Sequence, residues 1–431
     1  MDTLESSPSS GERCSPALVA LSHRPFARFA IGRLCATLAW QMIAIGVGYQ
    51  LWHLTGDPLD LGFVGLAQFL PFFLLILPAG QVADRLDRRS IMVAAYVLEL
   101  VAAVMLLAFT LTHSRAVWMV FLAVALVGIA RSFWMPASQA MTPNLVPAAA
   151  FPGALSVNAM LFQVGVIAGP SLGGLLVIAG VEWAYAVAAG LLVVATVLMA
   201  SVGEVRARMA AVDWRLRDVL DGLRFVWRKP PLFGAISLDL FAVLLGGATA
   251  LLPIFATEVL QAGPAGFGAL RAAPGVGAAI MAVWLGLRPV ERHAGNWMFG
   301  GVTLFGVATL VFALSTNFVL SMVALVFLGA GDMVSVFVRQ LLVQLETPDS
   351  IRGRVSAVSS MFIGASNELG EFESGVTASW WGVVPAVVVG GCGTLLVVVA
   401  YRRLFPQLAH LDRFPPPARD DPPDLARAAP G

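Results

Sequence analysis

"GQVADRLDRRSIM", residues 80–92, decides how the chain is read. Five of its thirteen residues are charged, yet it separates two apolar runs, about residues 60–82 and 91–112. A helix that crosses a bilayer needs about 20 predominantly apolar residues. Each flanking run is long enough, so the charged stretch reads as the loop between two spans. Its arginines also assign a side, because Lys and Arg concentrate in cytoplasmic loops.

Working outward on the same criterion gives twelve spans, at about 26–51, 60–82, 91–112, 116–140, 152–179, 183–203, 232–259, 265–287, 296–314, 318–344, 355–379 and 384–404. The breaks fall at turn signals such as "TGDPLD", "LTHSR", "LQAGPAGF" and "LSTNF". One set of connections holds "DRLDRRS", residues 204–231, "RPVERHAGN" and "SIRGR", whereas the opposite set carries only Arg115. Both termini are therefore expected in the cytoplasm, with the chain a multi-pass protein of the plasma membrane.

Composition agrees with an all-α integral membrane protein. Of 431 residues, 58% are hydrophobic and 12% charged, against about a quarter charged in soluble proteins. A net charge of +1 offers nothing to a nucleic-acid partner. Cys14, Cys35 and Cys392 are scattered, without disulfide or metal-ligand spacing. The N-terminus shows no cleavable signal peptide. Residues 1–24 and 406–431, rich in Pro, Ser and charge, read as disordered cytoplasmic tails. Residues 204–231 form the longest connection and divide the chain into six-span halves, 25–203 and 232–405. Within that linker Leu216, Leu220 and Leu223 recur at helical spacing between arginines, as in a helix lying on the membrane surface.

The halves repeat. A displacement of 201 residues brings Gly128 onto Gly329, Gln139 onto Gln340, Pro147 onto Pro348, Met160 onto Met361 and Gly174 onto Gly375. "GFVGLAQF" and "GFGALRAA" match at a slightly different offset. Duplicated six-span halves are a transporter architecture, with the substrate site between them near the midplane.

The opening stretch resembles the signature G-x-x-x-D-R-x-G-R-R of the major facilitator superfamily, in the same loop. Gly80, Asp84, Arg85, Arg88 and Arg89 match, and Asp87 stands where the family usually has glycine. In the family this cluster latches a conformation. Here Gly80 would let helices approach, and Asp87 would put a side chain on a residue of positive φ. "GVIAGPSLGG" resembles the G-x-x-x-G-P-x-x-G-G signature of antiporters in that superfamily, with Gly165, Gly169, Pro170, Gly173 and Gly174 in place. "DGLRFVWRKP" and "TPDSIRGRVSAVSSMF" are similar to the branch that includes the enterobactin exporter and macrolide efflux pumps. The resemblance covers about residues 25–405 and implies the major facilitator fold and export of siderophores or drugs.

Charge inside a membrane marks function, since each charged residue costs roughly 2.5–3.5 kcal/mol at the bilayer centre on insertion scales. "GASNELGEFESG", residues 364–375, places Glu368, Glu371 and Glu373 in span eleven. Glu368 and Glu371 share a helix face, with Asn367 adjoining it, while Glu373 points away. Two acids close together hold a proton between them more readily, which suits proton-coupled antiport. The alternative is a permanent ion pair with Arg131, Arg271 or Arg339. Asp239, Asp332 and Arg131 are further proton-coupling candidates. Arg131 and Asp332 occupy matching positions in the two halves, where opposite charges would meet across the cavity. Arg33, Thr37 and Gln41 recur at every fourth residue of span one, and with Gln68, Trp134 and Asn367 they suit a cavity wall or a polar seam between helices. Glu99 in span three reads as structural.

No G-x-x-x-x-G-K-S/T stretch provides an ATP site, and no catalytic motif, metal site or cofactor motif occurs. The expectation is a monomeric secondary transporter that exports a small amphipathic molecule against protons by alternating access. An importer or lipid flippase on the same fold, or a transport-inactive sensor, remain as alternatives.

Overall fold

The structure is a computed structural model that describes residues 16–147, 150–203, 223–288, 290, 292–348 and 351–415. The spans are Arg24–Thr55, Pro58–Arg85, Arg88–Leu111, Trp118–Leu145, Phe151–Ala179, Val181–Ala200, Pro230–Val259, Gly263–Leu287, Ala294–Leu314, Phe318–Glu346, Arg352–Trp381 and Val383–Leu404. Eleven are long and apolar enough to cross a membrane by composition alone. Arg352–Trp381, span eleven, carries the three glutamates, and it lies between spans two and seven.

Local chemistry sets the helix starts. Spans two, three and ten begin on side-chain caps: Asp57 Oδ1 accepts from Leu59 N at 2.8 Å, Asp87 Oδ2 from Ser90 N at 3.2 Å, and Asn317 Oδ1 from Leu320 N at 3.1 Å. Each satisfies one of the orphan amides at a helix start. Asp87 has φ −60° and therefore does not occupy the positive-φ turn expected of it. Ser90 Oγ also donates to it at 2.7 Å. The residue that breaks the glycine pattern starts span three.

Packing repeats between the halves. Span one packs on five and six, two on four, three on four and six; seven packs on eleven and twelve, eight on ten, nine on ten and twelve. Adding six to each number of the first set gives the second. The halves meet along spans two and eleven and along spans five and eight. A side chain added at Gly375 would meet the backbone of Gly62, and one at Gly174 the backbone of Gly268. All four glycines lie near the helix ends remote from the chain termini, so the halves close at that end. Gly375→Val overpacks this seam at a cost of about 1–3 kcal/mol, which shifts a two-conformation balance roughly 5–150-fold. Spin labels placed on the two halves at that end should report longer distances, and an unchanged distribution would contradict the closure described.

Two segments differ from expectation. Pro16–Ser22, in the stretch read as a disordered tail, is a short helix that packs on span five and buries Ala20. Pro406–Ala409 is also helical, with Leu408 fully buried, and Gly295 N donates to Leu411 O at 2.9 Å. Apolar residues inside polar tails, Ala20 and Leu408, explain the docking. In the linker, residues 223–228 are helical and span seven starts at Pro230. Most of the proposed surface helix, residues 204–222, lies outside the described residues.

Candidate functional site

A cavity of about 260 Å³ lies between the halves, lined by spans one, two, four, seven, eight and eleven. Its walls are largely apolar, with Trp40, Ile43, Val47, Leu61, Val64, Val127 and Phe267. The first half contributes Gln68 and Arg131, and the second Arg271, Asn367, Glu368 and Glu371.

Backbone proximity brings these groups together. Gly65 of span two faces the Glu371 side chain and the Glu368 carbonyl, a space that a larger residue would fill. At Gly128 span four lies against the carbonyl of Gln68, and Arg131 follows about one turn later. The Arg131 Nη1 donates to Glu368 Oε1 at 3.1 Å, and Gln68 Nε2 donates to the same oxygen at 3.0 Å. The Arg131 guanidinium stands 4.5 Å from the Trp40 ring centre and 5.8 Å from that of Phe72, within cation–π range. Both Arg131 and Gln68 belong to the first half and Glu368 to the second, so this cluster ties the halves together.

Within the second half, Arg271 Nη2 lies 3.5 Å from Glu371 Oε1, and its Nη1 donates to the Thr249 carbonyl at 3.0 Å. That carbonyl, which also accepts from Leu252 N, lies where span seven is discontinuous. Its helix ends at Leu245, turns at Gly246 and Gly247, and continues as a 3₁₀ turn over Ala248–Leu251 and a π turn over Phe255–Val259. Irregular helix of this kind is frequent at functional sites. The cavity thus holds two arginines and two glutamates, each acid beside an arginine and each side chain still partly open to solvent.

Other expected residues lie elsewhere. Thr37 and Gln41 are buried against Gly165 and Gly169 of span five, while Ile45 meets Gly173. They form an interhelical seam, with the glycine row as its groove, and not the cavity wall. Gly174 faces span eight instead. Arg33 and Trp134 border a separate small pocket with Tyr96 and Glu99. Asp239 pairs with Arg339, and Ser335 Oγ donates to its other oxygen at 3.1 Å. Asp332 shares the face of span ten that carries Ser335 and Arg339, so it is turned to the span seven side. Among the described residues no ion pair joins Arg131 to Asp332, and Arg131 pairs with Glu368 instead.

Near the C-terminal end of span two, no atom of the described residues stands within 4 Å of a side chain placed at Gly80, so no close approach requires glycine there among them. The side chains of Asp84 and Arg85 lie outside the described residues. Arg88 ties the loop to span four, with Nη1 donating to Ala140 O at 2.7 Å and Nε to Ala83 O at 3.4 Å. Arg89 is half-buried. Sequence reasoning gave no place to Trp40 as the ring under Arg131, nor to the Thr249 carbonyl. The paired glycines Gly246 and Gly247 were the available sign of a broken span.

The comparisons with known proteins agree with this layout. The family described as "Transmembrane secretion effector", a major facilitator family, matches residues 15–426. The chain is 22% identical to the enterobactin exporter EntS of Escherichia coli (strain K12), over 92% of this chain and 95% of that one. It is 25% identical to the uncharacterised MFS-type transporter YfiS of Bacillus subtilis (strain 168), over 84% and 87% of the two chains. Among solved structures, the nucleoside transporter NupG superimposes with TM-score 0.69 at 13% identity, covering 88% of this chain and 99% of that one. A bacterial homologue of the human lysosomal transporter Spinster, in an inward-facing and occupied conformation, gives 0.70 at 14% identity, covering 90% and 97%. Twelve spans in two matching halves, a charged cavity between them and a family match over nearly the whole length lead to one conclusion: the chain belongs to the transmembrane secretion effector family of major facilitator transporters, and is no enzyme.

Proposed function

We propose that this transporter exports a small amphipathic molecule, siderophore-like or drug-like, in exchange for protons by alternating access. The observation that carries the reading is the Arg131–Glu368–Gln68 cluster, which joins the halves across the cavity. An ion pair between two bodies that must separate is a device for coupling: a proton on Glu368 leaves Arg131 with a neutral partner, and the link weakens. The end at which the halves close is the one remote from the basic loops. By the positive-inside rule that end faces outward, both termini are cytoplasmic, and the cavity serves the cytoplasm in this conformation. Ionised Glu368 then corresponds to the state after proton release and before cargo loading. Cargo settles its apolar surface on Trp40, Val64 and Phe267 and its polar groups near Asn367 and Arg271. The cavity is complete within one chain of the plasma membrane, so a monomer suffices, and no nucleic acid is involved. The export homologue EntS supports the direction of transport.

Proton flux in reconstituted vesicles, challenged with siderophores and amphipathic antibiotics, tests this. A cargo-dependent pH change is expected; labelled cargo that moves without protons would overturn the coupling. In the same vesicles Arg271→Lys keeps the charge near Glu371 but lacks the planar fork that also reaches Thr249 O. Coupled flux should fall about tenfold, equivalent to roughly 1.4 kcal/mol. Flux within twofold of the unsubstituted transporter would remove Arg271 from the coupling.

A further inference from the structure

Glu99 of span three is only 3% exposed and lies in the first half, outside the central cavity. Its Oε1 accepts one hydrogen bond, from Trp134 Nε1 at 3.0 Å, a neutral donor. No cation stands within ion-pair distance of it among the described residues. Beside it, Arg33 has no carboxylate partner among the described residues and stands 5.7 Å from the Phe29 ring centre. Arg33 and Glu99 line one small pocket of about 10 Å³, together with Trp40, Tyr96 and Trp134. A space of that size suits roughly one water bridging polar groups. An isolated buried carboxylate is expensive, whereas the neutral acid, or an acid answered by a mobile cation, is tolerated.

Trp40 belongs to the walls of both this pocket and the central cavity, and it stacks on Arg131. Trp134 follows Arg131 by three residues on the same face of span four. The Arg131 guanidinium is therefore within electrostatic reach of Glu99 while it pairs with Glu368. Tyr96 on its own helix and Arg33 from span one line the same pocket as Glu99, and Cys35 of span one faces Tyr96. Span six, also packed on span three, carries Tyr185, which bonds Gln50 toward the other end.

We propose that Glu99 is a second proton-binding site, loaded through the Arg33 pocket and alternating with Glu368 as the counter-ion of Arg131. The proton comes from the pocket water onto Glu99 Oε2, the oxygen not held by Trp134, and returns to water without any other bond changing. While Glu368 is ionised it holds Arg131, and Glu99 keeps its proton. Once Glu368 is neutralised or engaged by cargo, Arg131 answers Glu99, which then discharges. The alternation rests on the proton-driven reading of the transporter; protonation of Glu99 does not.

Infrared titration of the purified full-length transporter separates the two. The carbonyl-stretch band of a protonated carboxyl should be present, titrate with pH, and vanish in Glu99→Gln, which retains an acceptor for Trp134. Glu368→Gln should move the midpoint of that band by more than about half a pH unit. If Glu99→Gln leaves every protonated-carboxyl band of the unsubstituted transporter in place, the proposal is wrong. Should that variant not fold, Trp134→Phe keeps Glu99 and removes its donor. The band is then expected to shift in frequency, and an unmoved band overturns the assignment. In vesicles, Glu99→Gln should change the number of protons moved per cargo while cargo Kd stays within twofold. An unchanged ratio contradicts the alternation even where the infrared band is confirmed.

Discussion

Glu368→Gln is expected to end proton-driven cargo accumulation while the protein stays folded and still exchanges cargo across vesicles without a gradient. Glutamine keeps an acceptor for Arg131 Nη1 and Gln68 Nε2, the two donors that meet Glu368 Oε1 at 3.1 and 3.0 Å. The lost contribution to stability is that of about one hydrogen bond made weaker, roughly 1 kcal/mol, further reduced by the partial exposure of both side chains. What disappears is the ability to change charge. Uphill accumulation should fall about a hundredfold, equivalent to roughly 2.7 kcal/mol of lost coupling, whereas energetically level exchange should stay within about threefold. Paired measurement of ΔpH-driven uptake and cargo exchange checks this. Equal losses in both would mean that Glu368 serves cargo binding or folding instead of coupling.

The second large effect concerns stability. Asp239 and Arg339 are 4% and 1% exposed, on spans seven and ten, and they pair directly. Removing one partner strands the other charge in a dry interior, which costs about 3–5 kcal/mol. Asp239→Ala and Arg339→Leu should each lower the apparent Tm strongly and reduce the yield of monodisperse protein. The double variant should recover part of the loss, because an apolar pair removes both partners' charges and leaves only Asp332 beside it. Thermal unfolding in detergent followed by tryptophan emission gives the comparison. A double variant as unstable as the sum of the singles would show that the pair does not act as a unit. The pair holds the tail-side part of span seven to span ten, below the break at Gly246 and Gly247, and so steadies the helix whose Thr249 carbonyl anchors Arg271.

Much of this layout is legible in the chain. Eleven of the twelve spans satisfy apolar run length by composition alone, and span eleven stands out because three glutamates interrupt its apolar stretch. The choice of partner is not legible. Arg131 and Glu368 are 237 residues apart, and their meeting depends on close backbone approach at Gly65 and Gly128. Sequence offered Arg131, Arg271 and Arg339 as equal partners for two acids, and tertiary packing distributes them as Arg131 to Glu368, Arg271 to Glu371 and Arg339 to Asp239. Periodicity along span one identified a shared face for Thr37 and Gln41 but not what it faces. The match between two four-residue rows, Thr37–Gln41–Ile45 and Gly165–Gly169–Gly173, was the sign that they interlock. Asp87 shows the limit of a signature read alone: where the family has glycine, a capping side chain starts the next helix by a different route.

In the coupling proposed above, a proton on Glu368 releases the bond between the halves. Distances between spin labels on the two halves, at the end where Gly62 meets Gly375 and Gly174 meets Gly268, measure it most directly as pH is varied. The unsubstituted transporter should be closed at that end at high pH and shift toward longer distances as pH falls. Glu368→Gln, already neutral, should show the long-distance population at every pH. A Glu368→Gln variant that keeps the full pH-dependent shift would overturn the coupling through Glu368.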